Sequence, residues 1–123
     1  MSFEVILQAT FLRVLREGDV AIDVGAHSGF HASKIAEKIG KSGQLFAFEP
    51  VKDVFAALLQ CLHQQDNSLL FNMALGKSRG VASFTRADGA LEESGLRPRA
   101  HFNHPEQTKL REILVWCDML DHL

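Results

Sequence analysis

The segment that decides the fold is Val20-Ala21-Ile22-Asp23-Val24-Gly25-Ala26-His27-Ser28-Gly29. Its first five residues are mostly apolar and predict a short buried β-strand, and the glycines after them predict a tight turn. A helix follows and is closed by Gly40, and its apolar face consists of Ala32, Ile35, Ala36 and Ile39. Strand, glycine-containing turn and helix in this order indicate the first βα unit of a parallel sheet.

The same alternation continues along the chain. Residues 44–48 predict a second strand that ends at Glu49-Pro50, and residues 68–73 predict a third. Between them lies a helix whose apolar residues recur at helical spacing: Val51, Val54, Phe55, Leu58, Leu59 and Leu62. Right-handed crossovers then give a Rossmann-like parallel sheet of strand order 3-2-1 with flanking helices.

The remaining segments complete the predicted α/β organisation of one partial domain. Residues 1–17 predict an N-terminal helix from the spacing of their apolar side chains, and residues 20–76 form the βαβαβ core. Residues 80–123 predict a hairpin and loop extension, antiparallel to its neighbours, with strands at 80–85 and 113–117. The polar, turn-rich stretch 86–110 between those strands predicts a loop.

Composition limits the classes of function. The chain has 123 residues, 46% of them hydrophobic and 23% charged, and a formal net charge of -2. Nucleic-acid binding would normally require a basic excess, so no nucleic-acid partner is predicted. No run approaches the roughly 20 apolar residues of a membrane span, and the N-terminal residues do not form a signal peptide. A cytoplasmic protein with two buried, reduced cysteines, Cys61 and Cys117, is expected.

The candidate binding site combines the first turn with the end of the second strand. It consists of the pattern Asp23-x-Gly25-x-x-x-Gly29 and of Glu49, 26 residues after Asp23. Carboxyl ends of parallel strands meet at one edge of the sheet, where ligands bind in open α/β folds. Glycines there let the backbone approach a ligand closely, and a carboxylate can accept two hydrogen bonds from a ribose diol.

Charge distinguishes between two cofactors that could use this geometry. A dinucleotide site needs further glycines at positions 27 and 30, but the chain has His27 and Phe30. Asp23 would also repel a pyrophosphate, whereas the sulfonium and ammonium groups of S-adenosylmethionine favour a nearby acid. S-adenosylmethionine is therefore the predicted cofactor, and a dinucleotide oxidoreductase is the less favoured alternative. His27 and His31 are four residues apart, but no third ligand is evident, so no metal is predicted.

Three motifs resemble the FkbM family of class I methyltransferases. They are Asp23-Val24-Gly25-Ala26-His27-Ser28-Gly29, Ala47-Phe48-Glu49-Pro50 and Asn72-Met73-Ala74-Leu75-Gly76, and Ser94-Gly95-Leu96 and Leu120-Asp121 fit in order. The resemblance implies a Rossmann-like fold, S-adenosylmethionine as the cofactor, and methyl transfer to a hydroxyl oxygen. The acceptor would be a small molecule, a sugar or a secondary metabolite.

The same resemblance implies roles for individual residues. The methionine end of the cofactor would lie along Asp23, Gly25 and Gly29, the ribose hydroxyls at Glu49, and the adenine near residues 72–75. The full predicted set is Asp23, Gly25, Ala26, His27, Gly29, Glu49, Pro50, Asn72, Ala74 and Leu75. His27 stands where the family usually has Asn, and both residue types tolerate left-handed backbone. Met119 stands where the family usually has Thr.

The family's sequence continues beyond the Leu-Asp motif with a further core strand that carries an acidic motif. These 123 residues do not contain it, so the sequence predicts an incomplete class I methyltransferase fold whose general base is not identified. Residues 20–24 would then form an exposed sheet edge, which favours self-association. The alternative function is a catalytically inactive cofactor-binding or interaction fragment.

Overall fold

The computed structural model describes residues 2–87 and 110–122 and divides the chain into two compact units, Met1–Asn72 and Met73–Leu123. How these units combine into the single domain expected from the sequence stays a prediction. The first unit contains three helices and three strands among its described residues. In chain order they are α1 (Phe3–Val14), β1 (Val20–Val24), α2 (Phe30–Ile39), β2 (Gln44–Phe48), α3 (Lys52–Leu62) and β3 (Ser68–Phe71).

The three strands of the first unit form one parallel sheet. β2 lies in the centre, with Val24 of β1 and Phe71 of β3 both in register with its last residue, Phe48. The rings of Phe48 and Phe71 are stacked at a centroid distance of 4.8 Å. The predicted strand order is confirmed, and the carboxyl ends of all three strands lie at the same edge of the sheet.

The core of the first unit lies between β2 and the helices α2 and α3. The four apolar residues predicted for α2 are all buried, as are Leu45 and Ala47 in β2 and Leu58 and Leu62 in α3. Leu59, which was also predicted on the apolar face of α3, is instead 46% exposed. An eleven-residue helix has room for only a narrow buried stripe on one side of a small sheet. The periodicity therefore predicts the face correctly but overestimates its width.

The N-terminal helix and the first strand are less buried than the sequence predicts. α1 ends at Val14, before the predicted boundary at residue 17, and contains no buried residue. Only Phe11 in α1 and Leu15 after it pack against the core. Val20, Ile22 and Val24 of β1 are 67%, 48% and 61% exposed, so the prediction of a buried strand is wrong. Among the described residues β1 pairs only with β2, and its outward-facing side chains lack a covering layer.

The second unit is a separate three-stranded sheet. Its strands are β4 (Ala74–Leu75), β5 (Gly80–Ala87) and β6 (Leu110–Asp118), followed by a short 3-10 helix, Leu120–His122. β6 lies in the centre, antiparallel to β5 and parallel to β4, which confirms the antiparallel extension. The third predicted strand, 68–73, therefore ends early, and Ala74 begins a strand in the other sheet. The rest of the predicted loop, residues 88–109, lies outside the described residues.

Alternation in β6 follows the prediction for a half-buried strand. Val115 and Cys117 are buried, whereas Leu114 and Trp116 are exposed. Cys117 is thus buried as expected, but Cys61 is exposed, so the prediction of two buried thiols is half wrong. None of the helices in the described ranges is both long and apolar enough to cross a membrane.

Asp118 at the end of β6 organises the turn into the 3-10 helix. Its Oδ1 accepts a hydrogen bond from the Met119 backbone N–H at 2.8 Å and lies 3.0 Å from His122 Nδ1, while Arg79 approaches Oδ2 at 3.6 Å. Burial alone would raise the pKa of Asp118, but the Met119 hydrogen bond and the neighbouring His122 and Arg79 hold it below its ordinary value. The Met119 and His122 contacts are local, whereas Arg79 approaches from the segment before β5.

Candidate cofactor site

The turn after β1 is held against the end of β2 by backbone hydrogen bonds. The N–H groups of Gly25 and Ala26 both donate to the Phe48 carbonyl, at 2.8 and 2.9 Å. The turn passes through left-handed backbone at Gly25 (φ 74°), His27 (φ 56°) and Gly29 (φ 100°). The expectation that His27 tolerates this conformation is confirmed, since His27 is the only described residue other than glycine with positive φ.

The two glycines of the motif differ in what surrounds them. A Cβ on Gly29 would lie 2.9 Å from Cys61 Sγ and 3.0 Å from Cys61 Cβ, so this glycine is required for close packing of α2 against α3. A Cβ on Gly25 would meet no described atom within 4 Å. Gly25 therefore borders open space beside the turn, as expected where backbone approaches a ligand.

Glu49 is fixed by hydrogen bonds at the end of β2. Its Oε1 accepts the His27 backbone N–H and its Oε2 accepts the Val51 backbone N–H, both at 2.9 Å, and only 5% of the residue is exposed. Asn72 Nδ2 donates to the carbonyls of Glu49 and Pro50 at 2.9 and 3.1 Å. The structure thus joins four predicted residues, His27, Glu49, Pro50 and Asn72, in one hydrogen-bonded network.

Asp23 occupies the next-to-last position of β1, beside this network. Its Oδ2 is buried and has no hydrogen-bond partner among the described residues. Burial raises the pKa of Asp23 above its ordinary value, the interaction with His31 opposes this rise, and the negative charge of Glu49 adds to it. Two carboxylates near each other, one of them without a donor, create a site that favours a positively charged group.

Two other features of the described residues concern where a ligand could bind. Within residues 2–87 and 110–122, no group of three His, Cys, Asp or Glu side chains is arranged to hold a metal ion. A separate concavity lies at the amino ends of the strands and contains none of the motif residues; it is lined by Ala36, Glu37, Gly40, Lys41 and residues 64–67. The chemistry predicted from the sequence is therefore concentrated at the carboxyl ends of β1 and β2.

Two predicted residues and one overlooked residue complete the site's description. Ala74 and Leu75 form β4 in the second unit, so their predicted position near the adenine stays a prediction. His31 was considered only as a metal ligand, yet its ring interacts electrostatically with Asp23. The sequence could have indicated His31 as a site residue, because it lies two residues after Gly29, in the first turn of the helix that follows the motif.

Comparison of the structure with solved structures identifies the fold. A protein assigned as an rRNA methylase in Clostridium thermocellum superimposes with a TM-score of 0.57 at 18% identity, over 60% of this chain and 41% of that one. A SAM-dependent O-methyltransferase from Thermotoga maritima gives a TM-score of 0.50 at 13% identity, over 92% and 65% of the two chains. The chain shares the fold of the class I methyltransferases.

Sequence comparison gives a shorter but closer similarity. A protein-L-isoaspartate O-methyltransferase from Methanococcus aeolicus is 40% identical over 40 residues, which are 32% of this chain and 18% of that protein. A second enzyme of this name from Archaeoglobus fulgidus is 42% identical over 40 residues, with the same coverage. The match thus spans less than a fifth of these relatives. No protein-family model matches the chain. The comparisons agree with the methyltransferase class predicted from the motifs, and none of them points to the FkbM family.

Proposed function

We propose that this chain binds S-adenosylmethionine at the carboxyl ends of β1 and β2 and belongs to an enzyme that methylates an oxygen atom. The observation that carries the proposal is the pair of carboxylates at the ends of two neighbouring strands: Asp23 has a buried oxygen without a donor among the described residues, and Glu49 lies near it. A ligand with a cationic group offsets the repulsion between them, whereas a pyrophosphate adds to it.

Glu49 has the hydrogen-bonding capacity that a ribose requires. Each of its carboxylate oxygens accepts one backbone N–H and retains a further acceptor site. Two vicinal hydroxyls can therefore donate to an acceptor whose position is already fixed, at little cost in side-chain entropy. Gly25 contributes open space beside the turn, and Asn72 holds the backbone of Glu49 and Pro50 in place.

When bound, S-adenosylmethionine supplies a methyl group activated by its positively charged sulfur. The residues of this chain bind and orient it; transfer gains most from alignment of the nucleophile with the methyl carbon and sulfur. Ala74 and Leu75 are proposed to lie near the adenine, on the FkbM resemblance. We assign no general base, although deprotonation assists transfer to a hydroxyl.

The acceptor class follows from two different sources of support. The FkbM resemblance favours a hydroxyl of a small sugar or secondary metabolite, and this is the acceptor that we propose. We also propose a cytoplasmic location. The isoaspartate O-methyltransferases that match locally instead suggest a protein carboxyl group, and the C. thermocellum neighbour suggests rRNA. The net charge of -2 makes rRNA the less favoured of these acceptors.

The binding site is tested by amide chemical shifts during titration of the ¹⁵N-labelled chain with S-adenosylhomocysteine. We expect the largest changes at residues 23–31 and 49–51, and small changes at residues 40–41 and 64–67, which border the opposite concavity. The largest shifts at that opposite concavity would show that the site is misplaced. The absence of any shift at saturating ligand would contradict the proposed cofactor itself.

A further inference from the structure

The first unit buries several polar side-chain atoms that have no hydrogen-bond partner among the described residues. They are Gln8 Nε2, Asp23 Oδ2, His27 Nε2 and His31 Nδ1. Most buried polar groups in folded proteins are paired, because an unpaired group loses the hydrogen bonds that it made to water. Four such atoms in one small unit, two of them on the motif turn or the strand before it, are available to a polar ligand.

The positions of three of these side chains are related through α1 and α2. The ring of His31 contacts the edges of Phe11 in α1 and Phe30 in α2, at centroid distances of 5.4 and 5.0 Å. Gln8 precedes Phe11 by three residues, so the two lie on the same side of α1. His31 in turn interacts with the charge of Asp23. His31 is thus linked to α1 through Phe11 and to β1 through Asp23, and Gln8 lies on the same side of α1 as Phe11.

The chemistry of these groups is complementary to an α-amino acid. Asp23 offers an acceptor, Gln8 Nε2 is a donor, and His31 Nδ1 donates in the tautomer that carries its proton there. An ammonium group requires acceptors and a carboxylate requires donors, so both ends of a zwitterion are matched. The aromatic contacts fix the His31 ring in place, which lowers the entropy lost when a ligand binds.

We propose that His31 and Gln8 bind the α-carboxylate of the cofactor's amino-acid end while Asp23 binds its α-ammonium group. This inference rests on the proposed function and adds to it the recognition of the carboxylate by residues outside the motif. α1 then takes part in binding through Gln8, although most of the apolar side chains in this helix are exposed. The site would select S-adenosylmethionine and S-adenosylhomocysteine over nucleosides that lack a free amino acid.

The test measures affinities of three related ligands by calorimetry. S-adenosylhomocysteine carries the whole amino acid, decarboxylated S-adenosylmethionine is a sulfonium that keeps the ammonium group but lacks the carboxylate, and 5′-methylthioadenosine lacks both groups. The unaltered chain is expected to bind S-adenosylhomocysteine at least about tenfold more tightly than methylthioadenosine, since hydrogen bonds to charged groups are among the stronger ones. His31→Ala should remove about tenfold of the affinity for S-adenosylhomocysteine and leave that for the decarboxylated ligand nearly unchanged.

Two further variants separate recognition from structure. His31→Asn retains a donor near the position of Nδ1 and should restore most of the affinity. His63→Ala changes an exposed histidine directly after α3 and should leave the affinity unchanged. Gln8→Ala should weaken the same ligand selectively, and thermal unfolding of each variant confirms that it is folded. Equal losses for all three ligands, or no loss in His31→Ala, would overturn the inference and leave the proposed function standing. If the unaltered chain bound none of the three ligands, both proposals would fail.

Discussion

At the scale of single residues, the two glycines of the turn carry different constraints and should respond differently to substitution. Both have positive φ, which costs about 1–2 kcal/mol for a residue with a Cβ. Only Gly29 also contacts a neighbour closely, since its Cβ would lie 2.9 Å from Cys61 Sγ. Overpacking adds about 1–3 kcal/mol, so Gly29→Ala should lower the free energy of unfolding clearly more than Gly25→Ala. Urea unfolding of both variants measures the difference, and equal losses would mean that α2 and α3 do not approach closely.

The buried charge of Asp23 should lower the free energy of unfolding at neutral pH, although the proposed binding of the cofactor requires that charge. Its pKa is raised in the folded protein from an ordinary value of 3.8, chiefly by burial. Between the ordinary and the raised pKa the folded protein binds more protons than the unfolded chain, so the free energy of unfolding falls as pH rises through that window. Asp23→Asn should remove this dependence, increase stability at pH 7 and weaken cofactor binding. A variant less stable than the unaltered chain at pH 7 would show that Asp23 is paired.

Glu49 has a structural role, shown by its two backbone hydrogen bonds, beside the binding role that we propose for it. Glu49→Ala should reduce the affinity for S-adenosylhomocysteine at least about tenfold, because hydrogen bonds to a charged acceptor contribute about 1.5–3 kcal/mol each. The sequence alone suggests little effect on folding, since the residue ends a strand. The structure corrects this: Ala would leave the His27 and Val51 N–H groups without their acceptor, so stability should fall as well. Glu49→Gln keeps one acceptor oxygen, so it should also bind S-adenosylhomocysteine more weakly but lose less stability than Glu49→Ala. Unchanged affinity for S-adenosylhomocysteine in both variants would exclude Glu49 from the site.

At the scale of secondary-structure elements, β1 is the exposed edge of the first sheet. It pairs only with β2 in the described part of the chain, and Val20, Ile22 and Val24 are exposed. An apolar edge favours pairing with another chain, so we predict self-association at micromolar concentrations. Ile22→Lys should reduce it without unfolding the domain, because this side chain is already 48% exposed. Size-exclusion chromatography with hydrogen exchange on residues 20–24 measures both effects, and a monomer with strongly protected amides there would contradict the prediction.

The elements also show how far the sequence predicts the fold. α2 and β2 follow from local patterns, because their buried residues recur with the period of a helix covering one side of a strand. The end of β3 could not be predicted, since residues 68–73 are continuously strand-like. The chain leaves the first sheet at Asn72, whose side chain binds backbone carbonyls 22 and 23 residues away. The apolar pattern of β1 predicted a buried strand, because such a pattern does not reveal which of its faces is covered, whereas the family resemblance already predicted an exposed edge at residues 20–24.

In the candidate site, too, the local sequence predicts some features, whereas others depend on contacts between distant segments. The sequence predicts that Asp23, Gly25, Gly29 and Glu49 lie near the carboxyl ends of the first two strands, and the structure places them there; that they bind a cofactor stays a prediction. Their spacing cannot reveal that both oxygens of Glu49 already accept backbone N–H groups. His31 was overlooked because its relation to Asp23 and Phe11 depends on the packing of α1 against α2, which no periodicity encodes.

At the scale of the whole molecule, binding of the cofactor and choice of acceptor are separate questions. The first unit contains the acid-and-glycine turn and Glu49, which we propose select a cationic nucleoside. The matched segments cover 18% of the isoaspartate O-methyltransferases and 65% of the T. maritima enzyme. These comparisons therefore do not identify the acceptor, which is part of the proposal. The two residues proposed to lie near the adenine form β4 of the second unit.

The central claim is that the carboxyl ends of β1 and β2 select S-adenosylmethionine over a dinucleotide by charge. Parallel calorimetric titrations of the chain with S-adenosylhomocysteine and with NAD test it most directly. The account predicts saturable binding of one S-adenosylhomocysteine per chain, weakened in Asp23→Asn, and no binding of NAD. Tight binding of NAD that S-adenosylhomocysteine does not displace would contradict it.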